Sequence, residues 1–236
     1  MDLSVVIPAL NEERTIGVVV RQSVDMIAQA KVAGEVIVAD NGSIDGTCRL
    51  AQEAGARVVS VKDLGYGCAI MGGFAAAQGR YLVMLDADGS YDPKEIPLFL
   101  RALQAGADLV IGNRYRGEYR AGAMPFLHRY LGTPVLTFFL NILFKVGIGD
   151  VNCGMRALTK TVFEGLCCRA LGMEFASEML IKARLMKCRI VEVPCTLSPD
   201  GRDRQSHLRT WIDGWRHLRF MLLFKIMFPG SLRNRC

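Results

Sequence analysis

Five short runs of aliphatic and β-branched residues divide the first half of the chain: LSVVIPA (3–9), EVIVA (35–39), RVVSV (57–61), RYLVML (80–85) and DLVIG (108–112). None shows the strict apolar–polar alternation of a half-exposed strand, so each reads as a strand buried on both faces. Helical patterns lie between them. From Glu12 to Ala30, Ile16, Val20, Val24 and Ile27 recur at helical spacing, Asn11 is placed to cap that helix, and Glu12 and Glu13 suit its first turn. DGTCRLAQEAG, GCAIMGGFAAAQG and DPKEIPLFLRALQAG read as three more helices, the last with Pro93 in its first turn and Gly106 at its end. Strands alternating with helices have few stable solutions, and the expected one is an α/β fold: a mostly parallel central sheet, right-handed crossovers and flanking helices.

In such a sheet ligands bind beyond the carboxyl ends of the strands. Three polar clusters fall there, ALNEE after the first strand, DNGSIDGT after the second and DADGS after the fourth, so the fold should gather them along one rim. The stretch LDADGSYDP (85–93) places Asp86, Asp88 and Asp92 within seven residues of a buried strand. Like charges this close repel, and burying them is costly. In extended backbone Asp86 and Asp88 would face the same side, and an all-oxygen pair suits Mg²⁺ or Mn²⁺ together with phosphate oxygens. Asp92, directly before Pro93, reads as a helix cap. Asp40, ending the second strand, can accept hydrogen bonds from a base or ribose. Ser43, Asp45 and Thr47 stand between that role and a capped turn. No GxGxxG follows the first strand, which counts against a dinucleotide-binding unit.

The second half is less regular. Residues 113–125 form a polar loop with Arg114, Arg116 and Arg120, and residues 126–147 look helical and strongly apolar. CGMRALT is a candidate strand, 159–169 and 174–187 are candidate helices, and RIVEVPCTL reads as a final strand. The eight cysteines show no metal-ligand spacing and read as reduced core thiols of a cytosolic protein. The N-terminus lacks a basic n-region and does not resemble a signal peptide, and no stretch reaches the ~18 apolar residues of a membrane span.

Of the 29 basic and 23 acidic residues, residues 201–236 hold 8 and 2, leaving 21 and 21 before them, so the whole net charge of +6 sits in the tail. Within it Trp211, Trp215, Leu218 and Leu222 recur at helical spacing near Arg209, Arg216 and Arg219. That composition suits an anionic surface; the alternative is a C-terminal helix docked on the core.

VVIPALNE, ADNGSIDGT, LDADGSYDP, GNRY, DVNCGMRAL, EFASEML and VEVPCTLSPDGRDRQSHL come in the order and spacing of family 2 glycosyltransferases. Within that family the chain resembles the polyprenyl-phosphate sugar transferases of the dolichyl-phosphate mannose synthase type, from residue 3 to about 228. The resemblance implies a GT-A fold in residues 1–200, with a nucleotide-sugar half (1–112) and an acceptor half (113–200); the basic amphipathic tail (201–236) is expected to form a membrane-interface helix. It implies inverting transfer of a hexose from a donor of the GDP-mannose or UDP-glucose type to a polyprenyl phosphate, with Mg²⁺ or Mn²⁺, by a protein peripheral to the cytoplasmic face of a membrane. A separate membrane protein is a further candidate partner. Nucleic acid is not expected, since an acidic rim repels phosphate unless metal is bound.

Matched to the family's motifs, Pro8, Leu10, Asn11 and Glu12 resemble the first nucleotide-contacting loop, and Asp40 the residue facing base and ribose. Asp86 and Asp88 resemble the metal–diphosphate ligands, with Ala87 between them and Ser90 close by. Arg114 matches an arginine near the acceptor, and Arg202 and Arg204 the late arginines over the phosphates. With Asp88, these three arginines are the residues expected to carry catalysis. Asp150, Arg156, Glu174 and Glu178 match family motifs, and structural ion pairing is the alternative for each. Asn41 stands where many relatives have aspartate, and His207 where the mannose synthases have lysine. His128, His207 and His217 show no sequence partner and read as structural groups or phosphate contacts. Acceptance by a glycan or other soluble molecule, and an inactive truncated relative, are the competing readings.

Overall fold

The computed structural model describes residues 1–118, 120, 122–123, 127–201 and 210–227. Strand β1 (Leu3–Ala9) is buried along its entire length, as the unbroken apolar run requires. It pairs in parallel with β2 (Gly34–Asp40) on one side and β4 (Tyr81–Met84) on the other, and β3 (Arg57–Ser60) adds parallel to β2. Beyond β4 come β6 (Arg156–Thr159), β5 (Leu109–Asn113) and β7 (Ile190–Pro194), giving the order β3-β2-β1-β4-β6-β5-β7. β6 runs antiparallel to both its neighbours, while β5 and β7 are parallel. The expected mostly parallel α/β sheet is therefore present, with one reversed strand inserted from the second half of the chain.

Helices α1 (Ile16–Gln29), α2 (Thr47–Glu53), α3 (Tyr66–Ala76) and α4 (Ile96–Gln104) connect the first five strands. The inward face of α1 is Ile16, Val19, Val20, Ser23, Met26 and Ile27; Val24 lies at the edge of that face and is more than one-third exposed. The expected Asn11 cap is corrected. Asn11 has a left-handed backbone (φ 55°), and the helix starts later, behind Thr15. Asn11 turns its amide oxygen to the Ile44 N–H instead (2.8 Å), a partner that holds two loops together rather than one helix end. Asp92 does cap, accepting from the Lys94 N–H, and Pro93–Glu95 forms a 3₁₀ turn leading into α4.

In the second half a π-helical turn (His128–Gly132) leads into α5 (Thr133–Phe144), and α6 (Lys160–Leu166) and α7 (Phe175–Leu185) follow β6. The final helix α8 (Thr210–Met227) packs against α5 and α7. Among its residues whose side chains are described, His217, Met221 and Phe224 are buried, with Phe224 against Phe144 (ring centroids 6.1 Å). Among the described residues all cysteines are unbridged, and no helix is long and apolar enough to cross a membrane.

Helix α3 lies close on the sheet because Gly73 has no side chain. A Cβ there would collide with Val6 and press on Ala39. Gly214 in α8 has nothing within 4 Å of that position. Gly73→Ala is therefore expected to cost ~1–3 kcal/mol through overpacking, whereas Gly214→Ala should be neutral or stabilise by up to ~1 kcal/mol. Urea unfolding midpoints of the two variants check this contrast.

Candidate functional site

The rim is built where β1, β2 and β4 end side by side. The loops after β1 and β2 are sewn together. The Asn11 N–H donates to Ser43 Oγ (2.8 Å), the Glu12 N–H to Thr47 Oγ1 (2.7 Å), and Glu13 Oε2 accepts from the Gly46 N–H (2.9 Å). Pro8 is buried within β1 and Leu10 is half-buried just past it. Glu12 is buried at the junction. Ser43 and Thr47 thus act as loop clasps.

Asp40 is buried and accepts from the Gly42 and Ser43 N–H groups (3.2 Å each). A carboxylate offers about four lone-pair positions, so a ligand hydroxyl or base N–H can still be accommodated. The Cys48 thiol is pushed up by burial and by the adjacent Asp40 charge. Asn41 has its amide engaged: it donates to the Val61 and Asp63 carbonyls and accepts from the Gly65 N–H. An aspartate could not make the two donations, so here the position anchors the loop before α3.

β4 ends at Met84, Asp86 follows outside the strand, and Ala87 and Asp88 lie in a turn. The same-side argument from strand geometry is therefore corrected. Asp86 is met there by the phenol of Tyr66, at the start of α3. Its hydroxyl donates to Asp86 Oδ1 (3.2 Å). Burial, then the Asp86 charge, and more weakly Asp88, push the Tyr66 pKa well up. Asp88 is buried and its Oδ1 accepts from the Ser90 N–H (2.9 Å), with Ala87 buried between the acids. Gly154 lies against the other oxygen of Asp86, at a point where a Cβ would collide with Oδ2.

The donor set fits a hard divalent cation in kind, being all oxygen. Among the described residues no cluster of three or more His, Cys, Asp or Glu side chains could hold a metal ion. Two carboxylates are fewer ligands than Mg²⁺ or Mn²⁺ requires, so diphosphate oxygens and water would complete the shell, as is usual for Mg²⁺.

A strap crosses this turn. The Ser198 N–H donates to the Ser90 carbonyl and the Gly201 N–H to the Asp88 carbonyl (2.9 Å each), and Tyr91 bridges to Leu197. Arg202, Arg204 and His207 lie outside the described residues.

Arg114 is not an open phosphate-binding fork. It is buried and bidentate to Asp150, Nε to Oδ2 at 2.7 Å and Nη2 to Oδ1 at 2.8 Å, with Asp150 itself fully buried. The other motif residues also have structural partners. Arg156, wholly buried, donates to the Cys153, Ala176 and Val151 carbonyls, and burial pulls its pKa down. Glu174 pairs with Arg216 on α8 (3.2 Å), and Glu178 accepts from the Arg169 and Ala170 N–H groups while pairing with Lys182 (2.8 Å). His217 has a partner that the sequence did not reveal, Ser177 Oγ at 2.8 Å, and fastens α8 to α7.

Tyr66, Tyr91 and Gly154 were missed by sequence reasoning. Their sole signal is a glycine or tyrosine beside a motif, and their roles depend on contacts between distant segments.

The model of the family described as glycosyl transferase family 2 matches residues 4–167. The chain is 41% identical over 231 residues to the low-salt glycan biosynthesis hexosyltransferase Agl6 of Haloferax volcanii, covering 98% of this chain and 54% of that protein. It is 31% identical to the dolichol-phosphate mannosyltransferase of Pyrococcus furiosus, over 86% of this chain and 58% of that one. The chain thus spans little more than half the length of these curated relatives. Among solved structures, glucosyl-3-phosphoglycerate synthase of Mycobacterium tuberculosis with Mn²⁺, UDP-glucose and phosphoglyceric acid aligns with a TM-score of 0.75 and 27% identity, covering 95% of this chain and 79% of that chain.

The Arg114–Asp150 pair generates a prediction. Arg114→Met leaves a buried, unpaired carboxylate and should cost ~3–5 kcal/mol, read as a large drop in urea midpoint. A midpoint that holds while turnover collapses would assign Arg114 to the acceptor instead.

Proposed function

The chain belongs to glycosyl transferase family 2, and from that premise we propose that it moves a hexose from a nucleoside-diphosphate sugar to a polyprenyl phosphate at the cytoplasmic face of a membrane. The donor half of the reading rests on the acidic turn after β4. Asp86 and Asp88 would hold a divalent cation, Mg²⁺ or Mn²⁺, which when bound would neutralise charge developing on the departing diphosphate. Asp40, beyond β2, would accept from ribose or base, with Pro8, Leu10, Asn11 and Glu12 walling the same pocket and Ala87 and Ser90 supporting the turn. Arg202 and Arg204 would bind the diphosphate oxygens with their planar forks.

The nucleophile would be an oxygen of the acceptor phosphate. It attacks the anomeric carbon from the face opposite the leaving diphosphate, the carbon–oxygen bond to that diphosphate breaks, and configuration inverts. A phosphate is already an anion at neutral pH, so no general base is needed. The domain division into 1–112, 113–200 and 201–236 belongs to the same reading.

One observation carries the lipid acceptor. Leu131, Val135, Phe138 and Ile142 repeat at helical spacing along one side of the π-helical turn and α5, and all are exposed, Phe138 at 59% and Ile142 at 58%. On the adjoining α8, Trp215, Leu222, Leu223, Ile226 and Met227 are exposed as well, with Arg216 and Arg219 among them. Water is a poor environment for so large an apolar face, and a bilayer interface is a good one. The likeness to the dolichol-phosphate mannosyltransferase points the same way. A second reading is favoured by the likeness to glucosyl-3-phosphoglycerate synthase, bound in that structure to phosphoglyceric acid: a small anionic acceptor in solution.

Both readings require the acidic turn. Asp88→Asn is expected to lower turnover by ~10²–10³ with an unchanged melting temperature. Donor consumption, measured for a panel of nucleotide sugars with Mg²⁺ or Mn²⁺, should rise on adding polyprenyl phosphate and not phosphoglycerate; the reverse result selects the soluble acceptor.

The membrane reading has its own test. The protein should float with liposomes containing anionic lipid, less so at high salt. Replacing Phe138 and Ile142 together by serine should release it. Flotation unaffected by that change would remove α5 from the interface.

A further inference from the structure

Asp86 is held from both sides by segments that the sequence places far apart. Tyr66, the first residue of α3, donates its hydroxyl to Oδ1 (3.2 Å). On the opposite side Gly154, in the loop before β6, leaves the space that Oδ2 fills, since a Cβ there would strike Oδ2 and the ring of Tyr91. That loop is itself pinned. The Gly154 N–H donates to Tyr91 Oη (2.7 Å), and the fully buried Arg156 holds the Val151 and Cys153 carbonyls (2.7 and 2.9 Å). The two oxygens of one carboxylate are thus set by a helix from the first half of the chain and a loop from the second.

We infer that Tyr66 and Gly154 are positioning residues for the Asp86 carboxylate, fixing its rotamer so that it meets a divalent cation without reorganising. The inference rests on the reading of Asp86 as a metal ligand. A free aspartate at the end of a strand samples several rotamers, and ordering it on metal binding costs entropy. A hydrogen bond to one oxygen and a close wall at the other remove that freedom beforehand. Removing outer partners of metal ligands generally weakens the metal by ~10–100-fold. Tyr66→Phe deletes the hydroxyl and keeps the ring, so the fold should be spared. Gly154→Ala pushes from the other side.

The test titrates Mn²⁺ into protein with UDP and reads free Mn²⁺ by electron paramagnetic resonance, alongside thermal melting. Asp86→Asn should weaken Mn²⁺ strongly. Tyr66→Phe should weaken it about tenfold with melting unchanged, and add nothing further in the Asp86→Asn background. In turnover, Tyr66→Phe should raise the Mn²⁺ concentration at half-maximal rate while kcat recovers at saturating Mn²⁺. Gly154→Ala should shift Mn²⁺ affinity in the same direction; if it fails to fold, Tyr66→Phe alone decides. Wild-type Mn²⁺ affinity in Tyr66→Phe, with affinity lost in Asp86→Asn, overturns the positioning role and leaves the metal reading standing. Wild-type affinity in Asp86→Asn overturns both.

Discussion

Burial of β1 between β2 and β4 is the constraint on which everything else depends. All seven of its residues are buried, and its parallel register with both neighbours brings the ends of all three strands to the same edge of the sheet, β2 ending opposite Ala9 and β4 opposite Val6. Parallel pairing requires crossover helices, so each strand end must be followed by a loop on the same side of the sheet. The polar clusters after β1, β2 and β4 thereby become one rim, although nearly eighty residues separate the first from the last.

Given that rim, the chain has to manage concentrated charge. It does so by assigning the polar groups different tasks. Asn11, Ser43 and Thr47 clasp one loop to another, and Asn41 anchors the approach to α3. Asp88 braces its own turn through the Ser90 N–H, and Asp86 receives Tyr66. Asp40 accepts from the Gly42 and Ser43 N–H groups beside the Cys48 thiol. The acids remain close because their environment is polar and donor-rich, which lowers the cost of their mutual repulsion.

The second half of the chain contributes walls and surfaces. The reversed strand β6 enters the sheet between β4 and β5, and this insertion delivers Gly154 to Asp86 and buries Arg156 behind it. Arg114 and Asp150 lock the loop after β5 to the loop before β6. Helix α8 is fastened to α7 by His217 and packs on α5 through Phe224, while an apolar, partly basic face is exposed on its other side. The buried stripe differs from the one read from Trp215 and Leu222, both of which are exposed. Helical spacing identifies a stripe without saying which side a neighbour will cover.

What the sequence determined by itself was local. Buried aliphatic runs fixed the positions of β1, β2, β4 and β5, because a β-branched run flanked by polar turns has few other uses, and Pro93 and Gly106 marked the start and end of a helix through their backbone preferences. The acidic turn at Asp86 and Asp88 was visible for the same reason: clustered like charge beside a core strand is a cost that needs a cause. Tertiary structure alone decided the rest. It reversed β6, moved Asn11 from helix cap to loop clasp, closed Arg114 onto Asp150, and set Tyr66 and Gly154 on either side of Asp86. Each of these is a pairing between segments tens of residues apart, settled by which polar partner comes within hydrogen-bond reach once the sheet has formed, and no periodicity or spacing along the chain encodes that distance.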